Sequence, residues 1–489
     1  MKTINNQTLK IWSKDNNRMM LLFFISIAAV YYLPFRLNQF IFLVFLFLAY
    51  GSKKDYFWIA FYFILLDAPG GLFQGGSITD VHRIPFYPII PGVALSFNDL
   101  LILMYLFKTI GIKRKYRFIF KKDFVFLLFF TLFVLLYSLI VGMSADNMIS
   151  TFRILMSWSF IYIISKLLIK ESDFDRLNRL LFPIVFLALA SQMYSYLTGN
   201  YLGRFLKGFS FRKSLLLLTA DSGEVARAAD SSIILLYCFT LALFYLFSKK
   251  QVFPRRYLYL IIAICMFSVF LSATRGWIIA YIFFFFMVFI TANKSKNIKK
   301  FISIGVVSTL VIVLFSFLFP LIKVQLQRVT ERVGTVLALA EGDITAGGTL
   351  ARFDKRGPRV MKKFSESPII GWGFSKEYFQ HEDHHVGHHN ILLNVGIIGY
   401  IILNFIFFKW CLRIYRFARF QPAQVKYGQS AIKILCFAFL AMYIIHSSSA
   451  QSWGWDIELP KILFFSLLLS FFNIVYRNTA LLNHADINK

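Results

Sequence analysis

Five of the chain's eight histidines fall between His381 and His389, in the stretch HEDHHVGHH. Histidine is the side chain whose ordinary pKa lies near neutrality, so such a cluster suits general-base work on a hydroxyl. It also suits metal binding. His384/His388 and His385/His389 are four residues apart and on a helix would share a face. A third use is structural, as a polar, partly solvated lip. The residue types leave all three open. The cluster follows a turn built on Pro368 and Gly371-Trp372-Gly373 and runs directly into an apolar segment. Proline pre-sets φ there, and the glycines allow close backbone approach.

Cations form the second group. The segment ARFDKRGPRVMKKF carries Arg352, Lys355, Arg356, Arg359, Lys362 and Lys363 against the single acid Asp354. An anionic ligand would account for them, and so would attraction to lipid headgroups. Arg275 stands at the end of an apolar run, where an ionisable group is costly and functional unless it snorkels to the interface. Arg227 lies in another cation-bearing loop, with Arg204, Lys207, Arg212 and Lys213.

These groups must be positioned by a membrane scaffold. The 489 residues are 58% hydrophobic and only 16% charged, against about 25% charged in a soluble chain. Apolar runs of bilayer length recur throughout. The pattern predicts an all-α polytopic membrane protein with about 14 transmembrane helices, a range of roughly 12 to 14. The net charge of +29 does not indicate nucleic acid, because the Lys and Arg lie in short clusters between apolar runs rather than on one soluble module. Membrane lipid is the expected partner for the cytoplasmic clusters. Cys238, Cys265, Cys411 and Cys436 lie in or beside apolar segments and show no disulfide or metal spacing. The first apolar run lacks a small-residue cleavage site and is expected to remain as an anchor.

The positive-inside rule places both termini in the cytoplasm. Residues 1–322 then hold spans one to eleven, with outer loops 68–97 and 199–228. Residues 323–388 form a large extracytoplasmic loop, and residues 389–489 hold spans twelve to fourteen and a cytoplasmic tail. Within the large loop, Leu326, Val329, Val333 and Leu337 recur at helical spacing and predict an amphipathic surface helix. On this topology Arg227, Arg275 and the 323–388 loop share the extracytoplasmic side.

The arrangement resembles the O-antigen ligase and O-antigen polymerase superfamily. Four features carry the resemblance, in matching order: Ser272-Ala273-Thr274-Arg275-Gly276 at the end of a mid-chain helix, Arg352 in a later long loop, Pro368 to Phe374, and His389-Asn390 followed by Gly396-Ile397-Ile398-Gly399. The match covers roughly residues 265–400. It departs from the family in leaving five residues, Ile391 to Val395, between His-Asn and the first glycine, where about nine are usual. Counting back by the usual spacing reaches His385, so His389 or His385 takes the base position.

The resemblance implies a GT-C-like fold in a bacterial inner membrane. It implies a metal-independent, inverting glycosyltransferase without a cofactor, taking glycan from undecaprenyl diphosphate. Arg275 and Arg352 would bind the diphosphate, with Arg227 and Arg356 as helpers. The acceptor would be a second glycan for a polymerase, or lipid A-core for a ligase, and a chain-length regulator is an implied partner. A reading from another class is a flippase or transporter of lipid-linked glycan. Such a protein would place its cations along a central cavity rather than in one loop.

Overall fold

The fold was obtained as a computed structural model. It describes residues 11–67, 85–90, 93–112, 118–198, 233–272, 274–291, 295–320, 322–327, 329–330, 334, 355–383, 386–420, 427–446 and 459–487. The first helices are α1 (Lys14–Tyr32), α2 (Phe35–Gly51) and α3 (Asp55–Leu66). Two strands, β1 (Pro85–Ile90) and β2 (Val93–Ser96), precede α4 (Phe97–Ile110) and α5 (Lys121–Val141). Then come α6 (Ala145–Met156), α7 (Phe160–Leu167), α8 (Glu171–Leu181) and α9 (Ile184–Thr198). The middle of the chain forms α10 (Ile233–Phe247), α11 (Arg255–Leu271), α12 (Arg275–Thr291) and α13 (Ser295–Leu318). Two short helices, α14 (Gly357–Phe364) and α15 (Lys376–His381), lead to the long α16 (Gly387–Phe420). Helix α17 (Gln429–Leu440) continues as a π-helical turn, Ala441–His446, and α18 (Leu459–Ile487) closes the chain.

The apolar segments fall largely on helix where they are described. Among the described residues, six helices are long and apolar enough to cross a membrane: 121–141, 147–167, 171–198, 298–318, 387–420 and 459–479. Further apolar helices, among them α3 and α10, are shorter. The protein is a helical membrane protein. One element departs from the all-α expectation. Within residues 68–97, read in the sequence as an outer loop, β1 pairs antiparallel with β2, Pro85 opposite Ser96 and Ile90 opposite Val93. Aromatic and β-branched residues suit the two strands, and the intervening Pro91-Gly92 is turn chemistry.

Burial separates the helices into two kinds. All fifteen residues of α10 are buried, and α18 is buried from Leu459 through Val475. Helices apolar on every side belong inside a bundle. Here α10 packs on α11 and α17, while α18 packs on α7. By contrast, α5 exposes Phe126, Phe129, Phe133 and Ile140, and α13 exposes Leu310, Val313 and Phe317. Water would not tolerate two such faces, whereas lipid matches them.

Polar joints fix the bundle at selected points. Asp99 pairs with Arg153 at 3.0 Å, joining α4 to α6. At the start of α5, buried Asp123 takes Lys409 at 2.7 Å and Arg413 from the far half of α16. Arg413 also donates to the Ile119 carbonyl at 3.1 Å. Removing Asp123 would leave two cations facing each other beside an apolar wall. Both cations are over a third exposed, so the cost falls below that of a fully buried pair. Asp123→Ala is expected to destabilise the folded protein by about 1–3 kcal/mol. Thermal unfolding in detergent measures it, and an unchanged midpoint would remove this joint from the account.

Candidate active site

Helix α16 is two helices meeting at Gly396, where φ is 65° and ψ is −173°. Such a break strands backbone groups, and at membrane depth they must find partners within the protein. The Pro368–Phe374 turn supplies them. Trp372 N donates to the Leu393 carbonyl at 2.9 Å, and Gly373 N to the Asn394 carbonyl at 2.7 Å. In return Ile397 N donates to the Pro368 carbonyl at 2.9 Å, and Ile398 N to the Ile369 carbonyl at 3.2 Å. The buried Asn394 side chain adds a bond from Nδ2 to the Gly373 carbonyl, 2.7 Å.

The approach is so close that side chains are excluded. A Cβ on Gly396 would stand 2.2 Å from the Ile369 carbonyl oxygen, and one on Gly371 2.5 Å from that of Asn394. Helix α5 braces the turn from behind. Phe374 N donates to Ser138 Oγ at 2.8 Å, and Tyr137 donates from its hydroxyl to the Gly371 carbonyl at 3.0 Å.

The first half of α16 carries His388 and His389. In a straight helix the Cα atoms of His388 and Tyr400 would lie about 18 Å apart along the axis. Their ring centroids are 6.0 Å apart, with Tyr400 Oη 3.5 Å from His388 Nδ1. The break therefore brings the two half-helices' side chains together. His388 is also edge-on to Tyr443 at 5.8 Å and hydrogen-bonds backbone at Tyr443 and Ile444 in the π-helical turn. His388 is thus a held side chain. His389 is half-buried, and its side chain makes no hydrogen bond among the described residues. His381 is engaged too, its Nδ1 lying 2.9 Å from the Glu377 carbonyl.

Asn390 does not join the histidine. Its amide clamps the backbone of Asp383, accepting from Asp383 N at 3.0 Å and donating to the Asp383 carbonyl at 2.8 Å. The Asp383 carboxylate in turn holds Arg356 at 3.5 Å and Arg359 at 3.1 Å. The cationic start of α14, which packs on α16, is thereby tied to the residue next to His389.

Of the other residues singled out in the sequence, Arg275 is the first residue of α12. Its side chain lies outside the described residues, as do Arg227, Arg352, His384 and His385. The turn before Arg275 is described. Ser272 Oγ donates to the Val269 carbonyl at 2.7 Å, and Gln325 Nε2 donates to the Leu271 carbonyl at 3.1 Å. The first residues of the large loop are therefore fastened to the turn that introduces Arg275. Helix α12 packs against the π-helical turn, the same element that holds His388. Of the amphipathic helix read in the loop, residues 322–327 and 329–330 are helical, with Val329 buried. Val333 and Leu337 lie outside the described residues.

Several participants escape the sequence reading. Asn394 sits in an apolar run, where a buried amide demands a partner; that demand was the available signal. Asp383 is masked by its histidine neighbours. Tyr400 and Tyr443 are two of 24 tyrosines and carry no local signal at all. Lys363 belongs to the same scaffold. It pairs with Glu366 at 2.7 Å and Glu377 at 2.9 Å, and lies 4.1 Å from the Trp372 ring centroid. Trp372 Nε1 donates back to the Lys363 carbonyl at 3.1 Å.

No protein-family model matches the chain, and no curated protein matches it in sequence.

Two predictions follow from this geometry. Gly396→Ala combines backbone strain with overlap against Ile369 and should cost about 3 kcal/mol or more. Gly305→Ala, in open space on α13, should be neutral or gain up to about 1 kcal/mol from helix propensity. Equal thermal midpoints for the two variants would contradict the docking of the turn.

The second concerns pH. The hydrogen bond from Lys363 is the main cause holding the Glu377 carboxyl below its ordinary 4.5. Its contribution is complete above 4.5 and is lost as pH falls through the lowered value. Lys363 is raised above its ordinary 10.5, first by its hydrogen bond to Glu366. Its contribution is complete below 10.5 and is lost as pH rises through the raised value. Amide exchange over residues 363–381, corrected for intrinsic rates, should accelerate on acidification below 4.5 and again above 10.5, and stay slow between. In Lys363→Met it should already be fast at neutral pH.

Proposed function

We propose that this protein transfers glycan from undecaprenyl diphosphate to an acceptor sugar hydroxyl at the extracytoplasmic face of a bacterial inner membrane, polymerising lipid-linked repeat units. The resemblance to the O-antigen polymerase and ligase superfamily motivates the reading. One observation carries it: a histidine with no hydrogen bond among the described residues, His389, adjoins Asn390, and Asn390 links through Asp383 to Arg356 and Arg359. A candidate base and a candidate anion-binding group are thus parts of one unit.

The chemistry asked of such a unit is modest. A glycan on a diphosphate already has a good leaving group. The acceptor oxygen attacks the anomeric carbon from the side opposite the diphosphate and forms the new glycosidic bond. A ring nitrogen of His389, or of His385, takes the hydroxyl proton. The bond from anomeric carbon to diphosphate oxygen breaks, and the diphosphate leaves with the electron pair. Configuration inverts. Arginine suits the leaving group because its planar fork binds phosphate oxygens in pairs. Arg275 and Arg352 take this role, with Arg227 and Arg356 assisting, and stabilising the departing charge is the larger effect. The base contributes about 10²–10⁴-fold.

The test is His389→Ala, with surface lipopolysaccharide and undecaprenyl-linked glycan profiled together, beside turnover of the purified protein in excess EDTA. Core carrying a single repeat unit is the expected outcome, with wild-type turnover surviving EDTA. Bare core with long glycan accumulating on undecaprenyl diphosphate would make the protein a ligase. Loss of turnover in EDTA, restored by Zn²⁺, would turn the histidines into metal ligands. Normal profiles in both His389→Ala and His385→Ala would overturn the enzyme reading.

A further inference from the structure

The described residues contain a polar pocket at the end of the bundle away from His389. Helix α16 starts at the histidines and ends near residue 420. Tyr427, just beyond that end, bonds Glu171 of α8. The Lys250 amine bridges Glu171 and Asp175 of the same helix. On the other side of α8, where α1 and α3 pack against it, a cavity of about 350 Å³ opens. That volume lies in the range of small-ligand sites, roughly 300–1,000 Å³.

Its lining is unbalanced in charge. Lys14, Lys54, Arg176 and Arg179 face one carboxylate, Asp15. Asp15 is already engaged, taking Lys54 Nζ at 2.8 Å and the Tyr56 hydroxyl at 2.8 Å. Lys14, Arg176 and Arg179 have no ion-pair partner among the described residues. Arg176 lies 5.5 Å from the Tyr56 ring centroid, which orients its guanidinium without neutralising it. Arg179 Nε is buried and makes no hydrogen bond among the described residues. A buried donor without an acceptor is costly, and a ligand oxygen would relieve it. Two guanidinium forks and an ammonium around one cavity fit phosphate oxygens better than a single carboxylate.

The neighbouring residues indicate depth. Trp12, one residue ahead of the lining Ser13, is 48% exposed, and Ile11 beside it is 38% exposed. In a helical membrane protein, an exposed Trp beside charged residues suits headgroup level. The basic turns assign this face to the cytoplasm, where anionic lipid concentrates basic pockets. We propose that this pocket binds a phosphate group, carried by an anionic bilayer lipid or free in solution, at the membrane face opposite the histidines. The site is distinct from the proposed glycan-transfer site and does not depend on it.

The full chain, purified in neutral detergent, provides the test. Its thermal midpoint is followed while phosphatidylglycerol is titrated against phosphatidylcholine, and separately while inorganic phosphate is titrated at constant ionic strength. Arg176→Gln and Lys14→Gln change exposed side chains and are expected to leave the fold intact. Lys53→Gln, an exposed cation outside the pocket, controls for net charge. The wild type and Lys53→Gln should be stabilised at the same concentration. Each pocket variant should need about tenfold more ligand, the loss of one charge-assisted hydrogen bond. Stabilisation by phosphatidylglycerol alone identifies the lipid as the source, and stabilisation by inorganic phosphate identifies the free ion. No stabilisation by either, or identical titrations for wild type and both pocket variants, would overturn the proposal.

Discussion

The docking of the Pro368–Phe374 turn into the break at Gly396 is the interaction on which the site depends. A helix cannot be interrupted at membrane depth unless its stranded amides and carbonyls are paired again. Here four backbone bonds and the Asn394 amide do so. The requirement runs both ways, because the turn's own backbone is paired by the helix it interrupts. Two motifs more than twenty residues apart in sequence are therefore one structural unit, and the glycines in both follow from the distance of approach.

The break sets the direction of what precedes it. Because the first half of α16 is free of the axis of the second, His388 can meet Tyr400, and the π-helical turn closes on the other side through Tyr443. Two adjacent histidines then have different fates. One is fixed by aromatic rings and backbone, and the other is left half-buried without a bond among the described residues. Fixing His388 is also what orients His389, since adjacent residues on a helix are rotated by a constant angle. Asn390 completes the framing from the opposite face by holding Asp383.

The helices were legible because lipid demands long apolar runs, and the described runs fall largely on helix. Turn chemistry at Pro368, Gly371 and Gly373 was legible for the same kind of local reason. What the residues did not disclose was pairing at a distance. Gly396 reads as a small residue in an apolar helix, and only its contact with Ile369 explains it. Asn390 reads as a companion to His389, yet its amide serves Asp383. The β1–β2 ribbon was hidden by prolines that mark a loop as readily as an edge strand. Arg356 reads as a free cation, and a carboxylate 27 residues later in the chain holds it.

That last pairing belongs to a wider pattern. The chain has 53 Lys and Arg against 24 Asp and Glu, and the difference is the net charge of +29. Carboxylates this scarce in an apolar protein are costly to bury and remain only where they are paired. Asp15, Asp99, Asp123, Asp175 and Asp383 each hold a cation contributed by a different helix or turn. The acids thus act as joints between elements. Most cations have no acid available to them by number alone. Those at the helix ends can meet lipid headgroups, whereas Arg356 and Arg359 beside the histidines are themselves held by Asp383. A membrane protein that assigns its acids to the frame in this way uses each of them twice, as the neutraliser of a cation and as the joint between two elements, and leaves most of its cations to the solvent and the headgroup layer.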